Sequence, residues 1–240
     1  MRPSFQDSGL ANLESEQHVP WIYALRFLRV AHAMQMCNSQ ETLVAISQLK
    51  VIAMLANNHG DSAVSATASA IEALIHVNRS NSSESIEQAQ RALAAARSSQ
   101  LNPLAQRIPQ ITMMAHFVDI SCSIYPDDPE QAGQKLRALQ STLDMPSEDS
   151  HHLSDDGCFL VPLAPATART LQGAGSSGGV VRLDGEGSLC VQVNWLPRDE
   201  IYTLGFILSA VVNVHRNASD GRKAEQYLRE AMSEYLQPRR

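Results

Sequence analysis

From residue 20 to residue 145 the apolar residues return every three or four positions, in stretches several turns long parted by short polar breaks. Pro20 opens the first stretch, since proline suits the first helical turn, and Trp21–Cys37 reads as helix. Asn38-Ser39 break the pattern, and Glu41–Asn58 resumes it. His59-Gly60 stop that second run, with Gly60 expected as a left-handed C-cap. Asp61-Ser62 cap a third helix that runs to about Val77. Ser82 or Ser83 caps a fourth, which ends near Ser99 before the Asn102-Pro103 break. A fifth helix is expected over Arg107–Tyr125, with Pro109 tolerated in its first turn. Pro126 to Pro129 is a turn, and Glu130–Asp144 a sixth helix. Arg198–His215 and Asp220–Leu236, broken near Asn217, close the series.

Two segments depart from this period. Residues 1–19 are polar and aperiodic and are expected to be flexible. Residues 146–194 hold seven of the twelve glycines, all between 157 and 187, with Ser, Asp and Pro in the gaps. Such a segment reads as a largely disordered insert, with a small hairpin in Val180–Val193 around Asp184-Gly185. The organisation expected is therefore a flexible 1–19, three helical hairpins over 20–145, the insert over 146–194 and a fourth hairpin over 195–240.

The hairpins look like copies of one another. Their second helices share Ala, Leu four later and an apolar residue three after that: Ala45-Leu49-Ile52, Ala89-Leu93-Ala96, Ala132-Leu136-Leu139 and Ala224-Leu228-Ala231. The starting alanines are 44, 43 and 92 residues apart, so the insert occupies about one period. The first helices carry a small residue between apolar ones: Tyr23-Ala24 with Phe27, Thr67-Ala68 with Ile71, Met114-Ala115 with Val118 and Leu204-Gly205 with Leu208. These lie 44, 47 and 90 apart, the same period from an independent mark. A small side chain lets a second helix approach closely, and one hairpin cannot bury both of its faces alone. The expected fold is all-α: a tetratricopeptide (TPR)-like α-solenoid of about four helical hairpins with expanded repeats and one long loop insert. The alternative is a plain helical bundle with Ala-rich interfaces.

Composition narrows the function. In 240 residues, 44% are hydrophobic, 18% charged and 5% aromatic, so the core must be built from Ala, Leu, Ile, Val and Met. A net charge of −6 argues against gripping nucleic acid by bulk charge. No apolar run reaches the roughly 18 residues of a transmembrane helix, and the N-terminus does not read as a secretory signal. Cys37, Cys122, Cys158 and Cys190 form no C-x-x-C pair, and Cys37 and Cys122 sit in helical patterns as small hydrophobes; a reduced intracellular compartment is expected. There is no G-x-S-x-G, no phosphate-binding G-x-x-x-x-G-K-[ST], and the Gly173–Gly179 run reads as a linker. His151-His152, Asp155-Asp156 and Cys158 make one compact metal-like cluster, but in a polar segment with nothing to fix ligand geometry. His32, His76, His116 and His215 lie in four different helices without a catalytic partner in view. No catalytic residue, metal or cofactor is assigned.

A helical array offers a groove instead. In TPR-like stacks it is lined by first-helix positions three before, one after and four after the small residue, which fall on one stripe. Here they are Trp21, Leu25 and Leu28; Ser65, Ser69 and Glu72; Thr112, His116 and Asp119; and Tyr202, Phe206 and Ser209. Apolar at both ends and polar in the middle, the stripe suits an extended peptide held by a few anchors. The other reading of Trp21, Leu25 and Phe206 is packing against neighbouring helices. The stripe has no Lys or Arg, which counts against a chaperone-type TPR that clamps a C-terminal carboxylate.

Asn194–Leu236 carries the most distinctive local signature: Trp195-Leu196-Pro197 followed by Arg198 and Asp199, the core Ile201-Tyr202-Thr203-Leu204-Gly205, then Lys223-Ala224 and Tyr227. This resembles the cohesin loading factor family, the TPR subunit of the cohesin loading complex, and its fungal members in particular. The resemblance implies a non-enzymatic scaffold that wraps an extended segment of a large HEAT-repeat loader subunit. It implies a role in loading cohesin on chromatin and in sister-chromatid cohesion, in the nucleus, with no direct grip on nucleic acid and no membrane. Family members carry more repeats on both sides, so the resemblance also implies that this chain is a stretch of a longer array. The rival readings are an unrelated TPR adaptor, as in a chaperone or ubiquitin-ligase scaffold, and a helical enzyme with its site in 146–194. On the scaffold reading, deletion of that segment should be tolerated.

Overall fold

A computed structural model describes residues 18–36, 38–79, 82–125, 128–144, 154–169, 179–216 and 221–236. Of the expected features, the flexible segment up to residue 17, Cys37, His151, His152 and most of the Gly173–Gly179 run lie outside the described residues, as does the side chain of His215. The described residues are 77% helical. The helices are α1 (Val19–Gln35), α2 (Ser39–His59), α3 (Ser62–Arg79), α4 (Ser83–Gln100), α5 (Pro103–Gln106), α6 (Pro109–Ile124), α7 (Pro129–Leu143), α8 (Pro165–Ala168), α9 (Arg198–Arg216) and α10 (Gly221–Leu236). Strands β1 (Cys158–Pro162), β2 (Val181–Leu183) and β3 (Leu189–Asn194) make one small sheet. The eight long helices pack in adjacent pairs, as in a helical-repeat solenoid, and the sheet is a minor addition.

Local chemistry sets the helix ends. The Asn38 side chain accepts from the Glu41 N–H at 2.8 Å and starts α2. Gly60 ends it at φ 76°, a left-handed conformation that costs glycine least, and its N–H reaches the carbonyls of Ala56 and Asn57. Ser82 caps α4 by accepting from the Ser85 N–H at 3.2 Å. Asp128 caps α7 by accepting from the Gln131 N–H at 2.9 Å. The helix expected from Arg107 begins instead at Pro109. Asn102 caps the separate short α5 before it, accepting from the Leu104 N–H at 3.0 Å, and Arg107 closes that turn.

The repeat marks are where the helices meet. Ala24, Ala68, Ala115 and Gly205 are all buried, and so are Ala45, Leu49, Ile52, Ala89, Leu93, Ala96, Ala132, Leu136, Leu139, Ala224 and Ala231. Leu228 is the departure, 47% exposed on α10.

The chain divides into two compact units, with α3 and α4 each contributing to both. In the first, α1 packs on α2, and β3, β2 and α8 pack on α1. In the second, α6 is buried almost all round because its two faces serve two clusters. Ala115, Val118 and Cys122 join Ala73, Ile86, Ala89, Ala92 and Leu93. Met113, Phe117 and Ile120 join Ala132, Leu136, Leu139, Ile201 and Val212. The last pair, α9 and α10, packs on itself, and α9 also on α7 and α6.

The insert holds more structure than the hairpin expected in Val180–Val193. Its described residues are folded: the sheet has strand order β1-β3-β2, with β2 antiparallel to β3 in the register Val181↔Val191, Arg182↔Cys190 and Leu183↔Leu189. Asp184 builds the turn between them, its Oδ1 accepting from the Glu186 and Ser188 N–H groups at 2.9 and 2.7 Å. Phe159, Val161, Leu163, Val181, Cys190, Val191 and Val193 are buried. The sequence hid this because Cys158–Pro162 is a short unbroken apolar run, which period alone cannot tell from a loop or a buried turn of helix. Deleting the segment would strip α1 of its cover, so it is not the neutral change that the scaffold reading first suggests.

Burial gives two thiols a measurable signature. It pushes Cys122 from its ordinary 9.0 up to about 11, Asp119 adding to the effect and Lys135 opposing it. It pushes Cys190 up to about 12, helped by the charge and hydrogen bond of Asp184. The folded chain holds these protons more tightly than the unfolded chain does. Their stabilisation is therefore complete below about pH 9 and is lost as pH rises through the folded values. The urea midpoint should fall between about pH 8 and pH 10.5, and fall less in the Cys122→Ala/Cys190→Ala double variant; equal falls would contradict this.

Candidate functional site

The stripe expected to line a groove is split by the packing of the helices that carry it. Ser65, Ser69, Glu72, Asp119 and Ser209 are buried. Most of these polar groups meet partners across helix seams. Ser65 Oγ accepts from the Ser99 hydroxyl at 3.2 Å. Glu72 lies 3.7 Å from Lys50 Nζ. Asp119 lies 3.4 Å from Lys135 Nζ, which also donates to Ser123 Oγ at 2.8 Å. His116 Nε2 is 3.4 Å from Thr142 Oγ1. The Tyr202 hydroxyl donates to the Leu143 carbonyl at 3.3 Å. Helix spacing identifies which residues share a face, and here that face is a seam.

The rest of the stripe stays reachable. Leu28 is 50% exposed, and Trp21 and Leu25 are half-buried. At 100° per residue these three share the side of α1 opposite Tyr23. In the second unit Thr112, His116, Tyr202 and Phe206 are half-buried. Sequence reasoning missed Gln140 of α7, whose amide donates to Ser209 Oγ at 3.3 Å and to the Tyr227 hydroxyl at 3.4 Å. It thereby ties α7 to both members of the last pair. No period marks it, because its role depends on three helices meeting.

The Trp195-Leu196-Pro197 element is a wedge that starts α9. Trp195 and Leu196 pack on the cluster built by α6, α7 and α9, with the Phe117 ring centroid 5.8 Å from that of Trp195 at an interplanar angle of 50°. The Trp195 N–H donates to the Gly157 carbonyl at 2.9 Å, and the Pro197 carbonyl accepts from Ile201 at 3.0 Å. Asp199 lies in the first turn of α9, where the helix dipole favours an acid. The Arg198 guanidinium stands 5.8 Å over the Tyr202 ring. Gly205 lets α9 approach α7: a Cβ there would lie 3.0 Å from Leu143 Cδ1. On α10, Ala224 is buried, Tyr227 half-buried and Lys223 exposed. The element's apolar members thus hold the last pair in place, and Lys223 lies exposed.

Of the metal-like cluster, Asp155, Asp156 and Cys158 are described. Asp156 Oδ1 accepts from the Ser154 hydroxyl at 2.5 Å and the Cys158 N–H at 2.9 Å, and these bonds hold its carboxyl below the usual range. They make it the organiser of a turn. Among the described residues no three His, Cys, Asp or Glu gather as metal ligands. His32 is exposed and His76 buried, in different helices.

In a comparison with protein-family models, residues 6–235 match the model described as cohesin loading factor. Comparisons with curated proteins and with solved structures give no match.

Two glycines test the wedge. A Cβ on Gly157, at φ 74°, would lie 2.6 Å from the Trp195 carbonyl oxygen and 3.0 Å from backbone atoms of Leu196 and Pro197. None of these can yield without moving the element. Gly157→Ala should cost about 3 kcal/mol by denaturant unfolding. Gly205→Ala presses only on a leucine side-chain end and should cost about 1 kcal/mol. Equal costs would show that the backbone of the wedge is not fixed as described.

Proposed function

As this chain belongs to the cohesin loading factor family, we propose that it is the non-enzymatic scaffold subunit of the cohesin loader, holding an extended segment of the large HEAT-repeat loader subunit. The coarser role follows from the family: it acts in cohesin loading, and so in sister-chromatid cohesion and chromosome segregation. The observation that carries the reading is the extent of the match, residues 6–235, nearly the whole chain. Helices in adjacent pairs agree with it, because stacked hairpins are suited to holding extended partners. The absence of a nucleophile or phosphate-loop motif in the sequence agrees with a subunit that binds rather than catalyses. Chromatin, the place of cohesin loading, makes the nucleus its compartment.

The reachable positions of the stripe are the proposed contact points: Trp21, Leu25 and Leu28 on α1, and Tyr202 and Phe206 on α9. Aromatic and apolar side chains that are half-buried before binding lose little side-chain freedom when a partner covers them, which makes them effective anchors. Lys223 is a further candidate contact on α10.

A pull-down with the N-terminal region of the large loader subunit tests the proposal. Retention by a chain that melts cooperatively is the expected result; no retention by the same folded chain would contradict it. Leu28→Glu then tests the α1 contact. At an exposed position it should change stability by less than about 0.5 kcal/mol, while lowering retention several-fold. Unchanged retention would remove α1 from the interface.

A further inference from the structure

Asp61 sits at the corner between α2 and α3 and is 1% exposed. Its backbone is held on both sides: its N–H donates to the Ala56 carbonyl at 2.8 Å and its carbonyl accepts from Ser65 at 3.0 Å. Its side chain collects three donors. The Tyr23 hydroxyl reaches Oδ2 from α1 at 2.9 Å. The Thr167 hydroxyl reaches the same oxygen at 2.7 Å, and the Ala164 N–H reaches Oδ1 at 2.7 Å. Two of the three donors thus come from the insert, more than a hundred positions away in sequence.

The same insert lays β3, β2 and α8 on α1. Its strands are three to six residues long, too short to be stable as a free sheet. Packing on α1 and the bonds to Asp61 both contribute to its docking. At the hairpin turn Arg107 pairs with Glu186 at 3.1 Å, and an exposed pair of this kind adds little.

We infer that α8 and the sheet form a clasp closed over α1 with Asp61 as its catch, and that the clasp opens locally, by release of Ala164 and Thr167, while the helical pairs stay folded. Opening leaves a buried carboxylate with one donor of three, so it must admit water, which sets the barrier to release. Tyr23 remains with the helical side. Burial first, then the charge and hydrogen bond of Asp61, push its phenol well above the usual range, so in the closed clasp it is a donor. This inference does not depend on the cohesin-loading role.

Hydrogen exchange read by mass spectrometry on the full chain tests it. Thr167→Val removes the insert's hydroxyl donor at nearly constant volume, Thr167→Ser keeps it, and Tyr23→Phe removes the donor on the helical side. Thr167→Val is expected to raise exchange of the β1, α8 and β3 amides on the order of tenfold, with α6 and α7 unchanged. Thr167→Ser should match the wild type, and Tyr23→Phe should affect the strands less than Thr167→Val. Three outcomes would overturn the inference: strand exchange unchanged in Thr167→Val, strands rising in step with α6 and α7, or equal rises in the Ser and Val variants. The last would mean that packing alone holds the insert.

Discussion

Close approach of helices through small side chains is the constraint on which the structure rests. Ala24, Ala68 and Ala115 in the first helices of their pairs are buried, and Gly205 holds the matching place in the last. A small residue at a crossing lets the partner helix come near enough for its own Ala and Leu positions to fill the space. From this follow the burial of α6 on nearly every side, the Ala-rich cluster around Ala73, Ala89 and Ala92, and the pairing of polar groups along the seams. Ser65, Asp119 and Ser209 are buried, and each finds a partner on a neighbouring helix.

The insert and the Trp195-Leu196-Pro197 element are where the plain repeat is broken and rejoined. Gly157 accepts the Trp195 N–H, and its φ of 74° brings its Cα so close to the Trp195 carbonyl that a side chain would not fit. The insert's sheet then covers α1. A segment that composition marks as loose becomes part of the fold because Phe159, Val161, Leu163, Val191 and Val193 find burial.

Most of the helical fold was legible in the sequence. The eight long helices follow from period and caps, with Gly60, Asn102 and Ser82 marking ends through chemistry that acts within a few residues. The two repeat marks pointed to the buried seams because volume at a crossing is a local property of one side chain. Strand β1 was not legible, since Cys158–Pro162 gives no period and its partner β3 lies far along the chain. The stripe was half legible: its spacing placed Trp21, Leu25 and Leu28 on one side of α1, but spacing cannot say which neighbour covers Ser69 or Ser209. The Asp61 cluster joins three distant stretches, and no local rule reports such a meeting. The family was legible from residues 194–236, where Trp195, Pro197 and Gly205 fall within one short stretch.

Chemical denaturation of two alanine-to-leucine variants probes the helix crossings most directly. Ala68 is buried in α3 and Ala95 is exposed on α4, so the same added volume meets a packed seam in one case and solvent in the other. Ala68→Leu should lose about 1–3 kcal/mol, and Ala95→Leu should stay within about 0.5 kcal/mol of the parent chain. Equal stability of the two variants would mean that close approach at the small residues does not hold these helices together.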